Sequence, residues 1–157
     1  MRMSDCPLKL WDYCAEWRAT VHNVSAKDHF KLQGSSPYMS THGVEPDISN
    51  ICKFGFFDWI MYREQKESFP VEKWELGRYL GPTDAVGNEM TCWIVTKDGA
   101  IVPRRTLREL NDDELLSDQI KRWKSIIMKQ IRHKLGDSLP NVKSPPPSKD
   151  ELSELYE

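Results

Sequence analysis

Net charge is the first thing this chain lacks. Lysine and arginine number 22 against 24 aspartates and glutamates in 157 residues, a formal charge of -2. No global field therefore draws the protein toward nucleic acid or an anionic bilayer, and any such affinity must be local. No apolar run approaches the roughly 18 residues of a membrane helix, and the opening MRMSDCP has no apolar core of a secretory signal. These absences set the expectation of an intracellular protein. Cysteine is sparse as well: Cys6, Cys14, Cys52 and Cys92 are scattered, without a Cys-x-x-Cys pair. Reduced, partly buried thiols are expected, not a zinc knuckle or a redox pair. His22 and His29 lie seven apart but have no close cysteine pair to complete a tetrahedral zinc site. Also missing are a Gly-x-Ser-x-Gly elbow, a phosphate-binding glycine loop and a His-Glu-x-x-His pair. A catalytic dyad gathered from separate cysteines and histidines would reveal itself by loss of activity on thiol alkylation. With 39% hydrophobic residues the chain can form one ordinary domain or two small pieces, not a large enzyme core.

What is present is a change of pattern along the chain. Pro7 at a first helical position, with Asp5 or Cys6 as cap, precedes Leu10, Cys14, Trp17, Val21 and Val24 at helical spacing. That predicts one amphipathic helix of about five turns. Asp12 and Glu16, one turn apart, form a solvated face more economically than a carboxylate pair for a metal. Residues 34–55 then set two prolines and three glycines among serines. There Ser36 can cap, Pro37 start and Gly43 stop a helix of barely two turns, and Pro46 keeps it from resuming. KFGFFDWIMY at 53–62 has five aromatics in ten residues and is expected to be a buried strand. WELGRYLG at 74–81 supplies another. TCWIVTKDGAIV at 91–102 predicts a hairpin turning at Asp98 and Gly99, and RRTLREL at 104–110 a last strand. Four or five short strands in so few residues imply a small, highly curved sheet, a barrel of the SH3-like kind.

From Asp112 the spacing turns helical again, through Leu116, Ile120, Trp123, Ile127, Ile131 and Leu135 to Gly136, with acids in the first turn. Within it, 121–134 holds six lysines and arginines and no acid. Such a stretch can neutralise phosphates and release counterions; it can equally solvate the back of a packed helix or lie on an anionic membrane. Arg104, Arg105 and Arg108 form a smaller cluster after the hairpin. Over 53–110 basic and acidic residues balance at nine each, so the sheet is not a strongly basic domain by composition. Beyond 140 the run SPPPSKDELSELYE is proline-rich, then acidic, as a linker or tail would be.

Taken in order, Ser36-Pro37-Tyr38, Gly43, Pro46-Asp47 and Phe54-Gly55 resemble the segment that closes the integrase catalytic core of copia-type LTR retrotransposons. The helix LKLWDYCAEWRATVHN, with Leu10 and Trp11, is similar to the helix that follows the catalytic one there. Lys73, Leu76, Gly77, Arg78, Leu80 and Gly81, then Trp93, Gly99, Ile101 and Val102, are similar to the pattern after the core. The resemblance covers residues 7 to about 135 and rests on the order of five weak motifs. It implies a polynucleotidyl transferase that joins element DNA to host DNA, with three carboxylates holding two divalent metals, magnesium or manganese. None of those three carboxylates has a counterpart here, so the chain carries no catalytic residue and needs no cofactor of its own.

The expectation is therefore a fragment of a gag-pol polyprotein, α+β in class and not an enzyme as it stands. Residues 1–50 would be a helical remnant of the integrase core, 51–110 the small SH3-like barrel, 111–136 a basic amphipathic helix and 137–157 a disordered tail. Its activity would be weak, salt-sensitive DNA binding and assembly with other integrase subunits or polyprotein segments, in the nucleus by resemblance, without membrane or small-molecule substrate. Charge nominates Arg78, Lys97, Arg104, Arg105 and Arg108 as contacts from the barrel and Lys121, Arg122, Lys124, Lys129 and Arg132 from the helix. The rival reading is an interaction module whose Trp59, Tyr62, Trp74, Tyr79 and Trp93 line a groove for a peptide or a methylated lysine of a histone tail. A third is a decayed transposon reading frame without retained activity.

Overall fold

The computed structural model describes residues 5–28, 31–64, 73–83 and 90–136, apart from the side chains of Asn50 and Cys52. The segment expected as a disordered tail, 137–157, and His29 of the histidine pair lie outside the described residues.

A 3-10 turn at Leu8–Leu10 leads into α1, Trp11–Val24. Pro7 itself is the N-cap of the turn, with no side-chain cap. Neither Asp5 nor Cys6 caps the helix as expected: Asp5 pairs with Arg132 and the Cys6 thiol is buried. The apolar stripe survives in direction but not in depth, since Tyr13, Cys14, Trp17, Val21 and Val24 are half-buried and Trp11 is 52% exposed. The next helix forms where its punctuation requires. In α2, Pro37–His42, the Ser36 hydroxyl accepts from the Met39 N–H at 3.1 Å, and Gly43 ends the helix at φ 72°.

Residues 53–62 do not make one strand. After the short α3, Ser49–Cys52, the chain turns through Phe54-Gly55, where the Asp58 carboxylate accepts from the Gly55 N–H at 2.7 Å and the Asp58 N–H donates to the Gly55 carbonyl. Phe57 takes a positive φ of 64°. Only β1, Trp59–Arg63, is extended. Aromatic density reported burial correctly here, but a turn closed by an aspartate overrode strand propensity.

With β2, Trp74–Pro82, β3, Cys92–Val95, β4, Ile101–Arg104, and β5, Leu107–Arg108, this strand builds a five-stranded antiparallel sheet in the order β4-β3-β2-β1-β5. The β3–β4 hairpin turns at Asp98-Gly99, with Gly99 at φ 71°. The five short antiparallel strands are as expected, and the sheet is not closed: among the described residues no pairing joins β4 to β5. The sheet curls nonetheless: Val102 on one edge strand and Leu107 on the other pack against the same cluster of Phe54, Ile60, Tyr62, Tyr79, Cys92 and Ile94. At Gly77 strand and ring come so close that a Cβ would lie 2.8 Å from the Val95 carbonyl oxygen and 3.1 Å from the Tyr62 ring.

The other face of the sheet, with Met61, Leu76, Leu80 and Val95, is covered by Leu10 and by Ile120, Ile127, Met128 and Ile131 of the last helix. Residues from all three expected ordered segments thus share one core. The helix expected over 112–136 is two helices, α4, Asp112–Leu116, and α5, Asp118–Leu135. Ser117, with ψ at 126°, interrupts it. This offset leaves Leu116 75% exposed and Trp123 45% exposed, while Met128, off the predicted stripe, is buried in their stead.

Candidate nucleic-acid interface

The acid-free stretch 121–134 forms most of α5, and its buried residues fix which side faces out. With Ile120, Ile127, Met128 and Ile131 turned to the sheet, Arg122 and Lys129 lie exposed on the opposite side and Lys121 and Arg132 on its flank, whereas Lys134, also exposed, stands on the sheet side next to Gly99 of the β3–β4 turn. Arg122 and Lys129, two turns apart, have no acidic partner among the described residues. Lys121 reaches the exposed Asp118 at 3.1 Å, and Arg132 pairs with Asp5. Lys124 sits at the edge of the packed face with its Nζ over the Trp59 ring, 5.7 Å from the centroid. Burial, then the nearby Arg78, lowers its pKa.

The sheet residues nominated by charge have different surroundings. Arg78 points inward. It is the cross-strand partner of Trp59, and its guanidinium stacks 3.6 Å from that ring's centroid and 4.5 Å from that of Phe57. It donates to the Phe57 carbonyl at 2.6 Å and to the Met128 sulfur at 3.4 Å, which leaves it only 8% exposed. Burial depresses its pKa to about 10. Such an arginine clamps the aromatic turn to strand and helix. Lys97, in the β3–β4 turn, donates to Glu75 at 2.9 Å. Arg108 grips Glu114 of α4 with both nitrogens, at 2.7 and 2.8 Å. Arg104 is half-buried and donates to the carbonyl of Pro103, whereas Arg105 is exposed. The structure brings Arg78 and Lys124 together and aligns the α5 cations, but it anchors the 104–108 cluster to α4 through Glu114.

The five aromatics of the interaction-module reading divide. Tyr62 and Tyr79 are core residues, fully buried. Trp59, Trp74 and Trp93 are half-buried, covered in part by Arg78, Arg108 and Tyr13 respectively. Charge and spacing gave no warning of Glu75. Its carboxylate is almost buried and accepts from Tyr62 Oη at 3.0 Å and from Lys97. Burial alone would raise its pKa, yet the hydrogen bonds from Lys97 and Tyr62 outweigh it and hold the group below the usual value. The available signal was its place opposite Tyr62 in the β1–β2 ladder, which only the register reveals. Beside it lies a groove of about 430 Å³ between the start of β2 and α5.

Among the described residues no three His, Cys, Asp or Glu side chains gather in a way that could hold a metal ion, and no helix is long and apolar enough to cross a membrane. No family of known proteins, no curated protein and no solved structure matches this chain.

Proposed function

We propose that this chain is the C-terminal part of a copia-type integrase, an SH3-like domain with flanking helices, and that it binds the DNA backbone through the outer face of α5. One observation carries the DNA-binding part: the acid-free basic stretch is a solvent-facing helix surface, on which Arg122 and Lys129 stand exposed and unpaired among the described residues. Lysine and arginine on such a face meet phosphates without base readout, so the affinity is sequence-independent and salt-sensitive. The strand order β4-β3-β2-β1-β5, with the last short strand returning to the first, and the curl around Tyr62 and Tyr79 support the SH3-like assignment. On this reading the chain supplies binding and assembly with other integrase subunits in the nucleus. The catalytic carboxylates and their divalent metals belong to the rest of the integrase.

A salt titration of binding to duplex DNA tests the proposal. Four α5 cations engaging phosphates give a slope of log K against log salt near -3 to -4, at about 0.9 per phosphate. Replacing Arg122 and Lys129 by glutamate flattens it by about 2. A slope near zero for the unchanged protein overturns the reading.

A further inference from the structure

We infer that the groove between the start of β2 and α5 is a docking site for an acidic amphipathic helix of another protein. The groove is bounded on one side by Trp74 and Leu76 of β2 and on the other by Trp123, Ile126 and Gln130 of α5. The α5 wall is bare. Trp123 is 45% and Ile126 52% exposed, although the neighbouring Ile127 and Ile131 are buried. At i, i+3 and i+7, Trp123, Ile126 and Gln130 form one row along the helix. Arg122, Lys129 and His133, all exposed, form the next row on its solvent side.

Charge selects the occupant. Inside the groove the charges are answered within the chain, since Lys73 and Lys97 both pair with Glu75, which also accepts from the Tyr62 hydroxyl. The unanswered charge is the row beside it, where Arg122 and Lys129 have no acidic partner among the described residues. A cationic or methylated-lysine peptide would add positive charge at that rim, and a second copy would bring a second Arg122 and Lys129 to it. DNA satisfies the two cations but leaves Trp123 and Ile126 uncovered. A helix with an apolar stripe and carboxylates along one border of it meets both rows at once.

The two rows fix the form of the partner. Rows of side chains along a helix interdigitate with those of a second helix laid alongside it, at an axis separation of about 8–10 Å. The partner's apolar anchors, repeating at i, i+3 and i+7, then enter the groove between Trp123, Ile126 and Trp74, and its carboxylates reach Arg122 and Lys129. Tryptophan and arginine are the residue types that most often dominate such contacts. Docking covers Arg122 and Lys129, so the bound helix displaces DNA from α5. That consequence rests on the DNA-binding reading above; the docking itself does not.

The test is calorimetric titration of the full chain, with Trp indole NMR to locate the contact. The probes are a synthetic helical peptide of two Leu-Glu-Ala-Leu-Glu-Ala-Ala repeats and its counterpart with lysine in place of glutamate. Docking predicts that the glutamate peptide shifts the Trp123 indole signal and binds about tenfold or more tightly than the lysine one. Trp123→Ala with Ile126→Ser, both at exposed positions, should weaken it about tenfold or more, while β1–β3 keep their slow amide exchange and the salt slope for duplex DNA is unchanged. Arg122→Glu with Lys129→Glu should weaken peptide and DNA together. No shift of Trp123 at millimolar peptide overturns the inference, as do equal affinities for the two peptides or an affinity that survives the Trp123 and Ile126 replacements. A Trp123 signal that moves on dilution of the protein alone assigns the groove to a second copy and overturns it as well. Peptide binding beside a DNA slope near zero upholds the docking and removes only the DNA-binding reading.

Discussion

Both α1 and α5 carry an apolar stripe at helical spacing, yet α5 buries four side chains and α1 buries none. The difference lies in what is beneath each helix. α5 lies over a continuous apolar sheet face of Met61, Leu76, Leu80 and Val95. α1 rests on the rim, where Trp17 contacts Gly81 and Phe56 and Tyr13 meets the edge of Trp93. Spacing fixes the direction in which a helix faces; the depth of burial is set by the surface it meets. The largest test of this contrast compares two truncations of aliphatic residues. Ile131→Ala, at a fully buried site, should cost about 3 kcal/mol in urea unfolding. Val21→Ala, half-buried in α1, should cost no more than about 1 kcal/mol. Equal costs would mean that α1 belongs to the core as fully as α5 does.

A second contrast concerns Arg78, which joins α5 to the sheet and has no counterpart under α1. Its guanidinium is buried between aromatic rings and, among the described residues, makes no ion pair with a carboxylate, so its packing matters more than its charge. Arg78→Ala leaves a cavity and should cost about 2–3 kcal/mol, whereas Arg78→Met, which keeps the volume, should cost less than about 1. If methionine proves as damaging as alanine, the bond to the Phe57 carbonyl dominates.

These contrasts show which parts of the structure were legible in the sequence. Short-range punctuation was: Ser36, Pro37 and Gly43 bound α2, and Asp98-Gly99 turns the β3–β4 hairpin, because each acts through its own backbone. Long-range pairing was not. The inward turn of Arg78 depends on its register with Trp59, and the Glu75 network on its register with Tyr62. A charge count treats both as surface residues. The break at Ser117 was hidden for a related reason. The apolar spacing runs through it unchanged, and only the attachment of α4 to the sheet edge by Arg108 reveals it.

That attachment is the next point of comparison: neither α1 nor α5 has a side-chain cap, but α5 follows a helix that is capped. α5 follows α4, whose first turn holds Glu114 against Arg108 and against the Asn111 N–H at 2.8 Å. α1 starts from Leu10 with no side-chain cap. The hydrogen bond from Arg108, more than any other cause, holds the Glu114 pKa at about 2, below its ordinary 4.5. A carboxylate depressed on folding stabilises above its unfolded pKa and loses that contribution as pH falls through the folded one. Stability should therefore fall between pH 4.5 and about 2. For a partly exposed pair the share owed to Glu114 is about 1 kcal/mol. Glu114→Gln should remove that limb of the acid unfolding curve and leave the neutral-pH response to Ile131→Ala unchanged. A curve that keeps its shape would assign the acid sensitivity to other carboxylates.

The smallest effect separates the two helices most finely. Each side of the sheet buries a nitrogen without an acceptor among the described residues, the Arg78 Nε under α5 and the Trp17 Nε1 under α1. A buried N–H left unpaired costs about 1–3 kcal/mol, so deleting it recovers part of what the lost ring area forfeits. Trp17→Phe should therefore change stability by less than about 1 kcal/mol in either direction, since the smaller ring still covers Gly81 and Phe56. Trp17→Ala, which removes the cover altogether, should cost about 2. If phenylalanine cost as much as alanine, the indole nitrogen would have an acceptor, and α1 would be tied to the sheet by a polar bond as α5 is by Arg78.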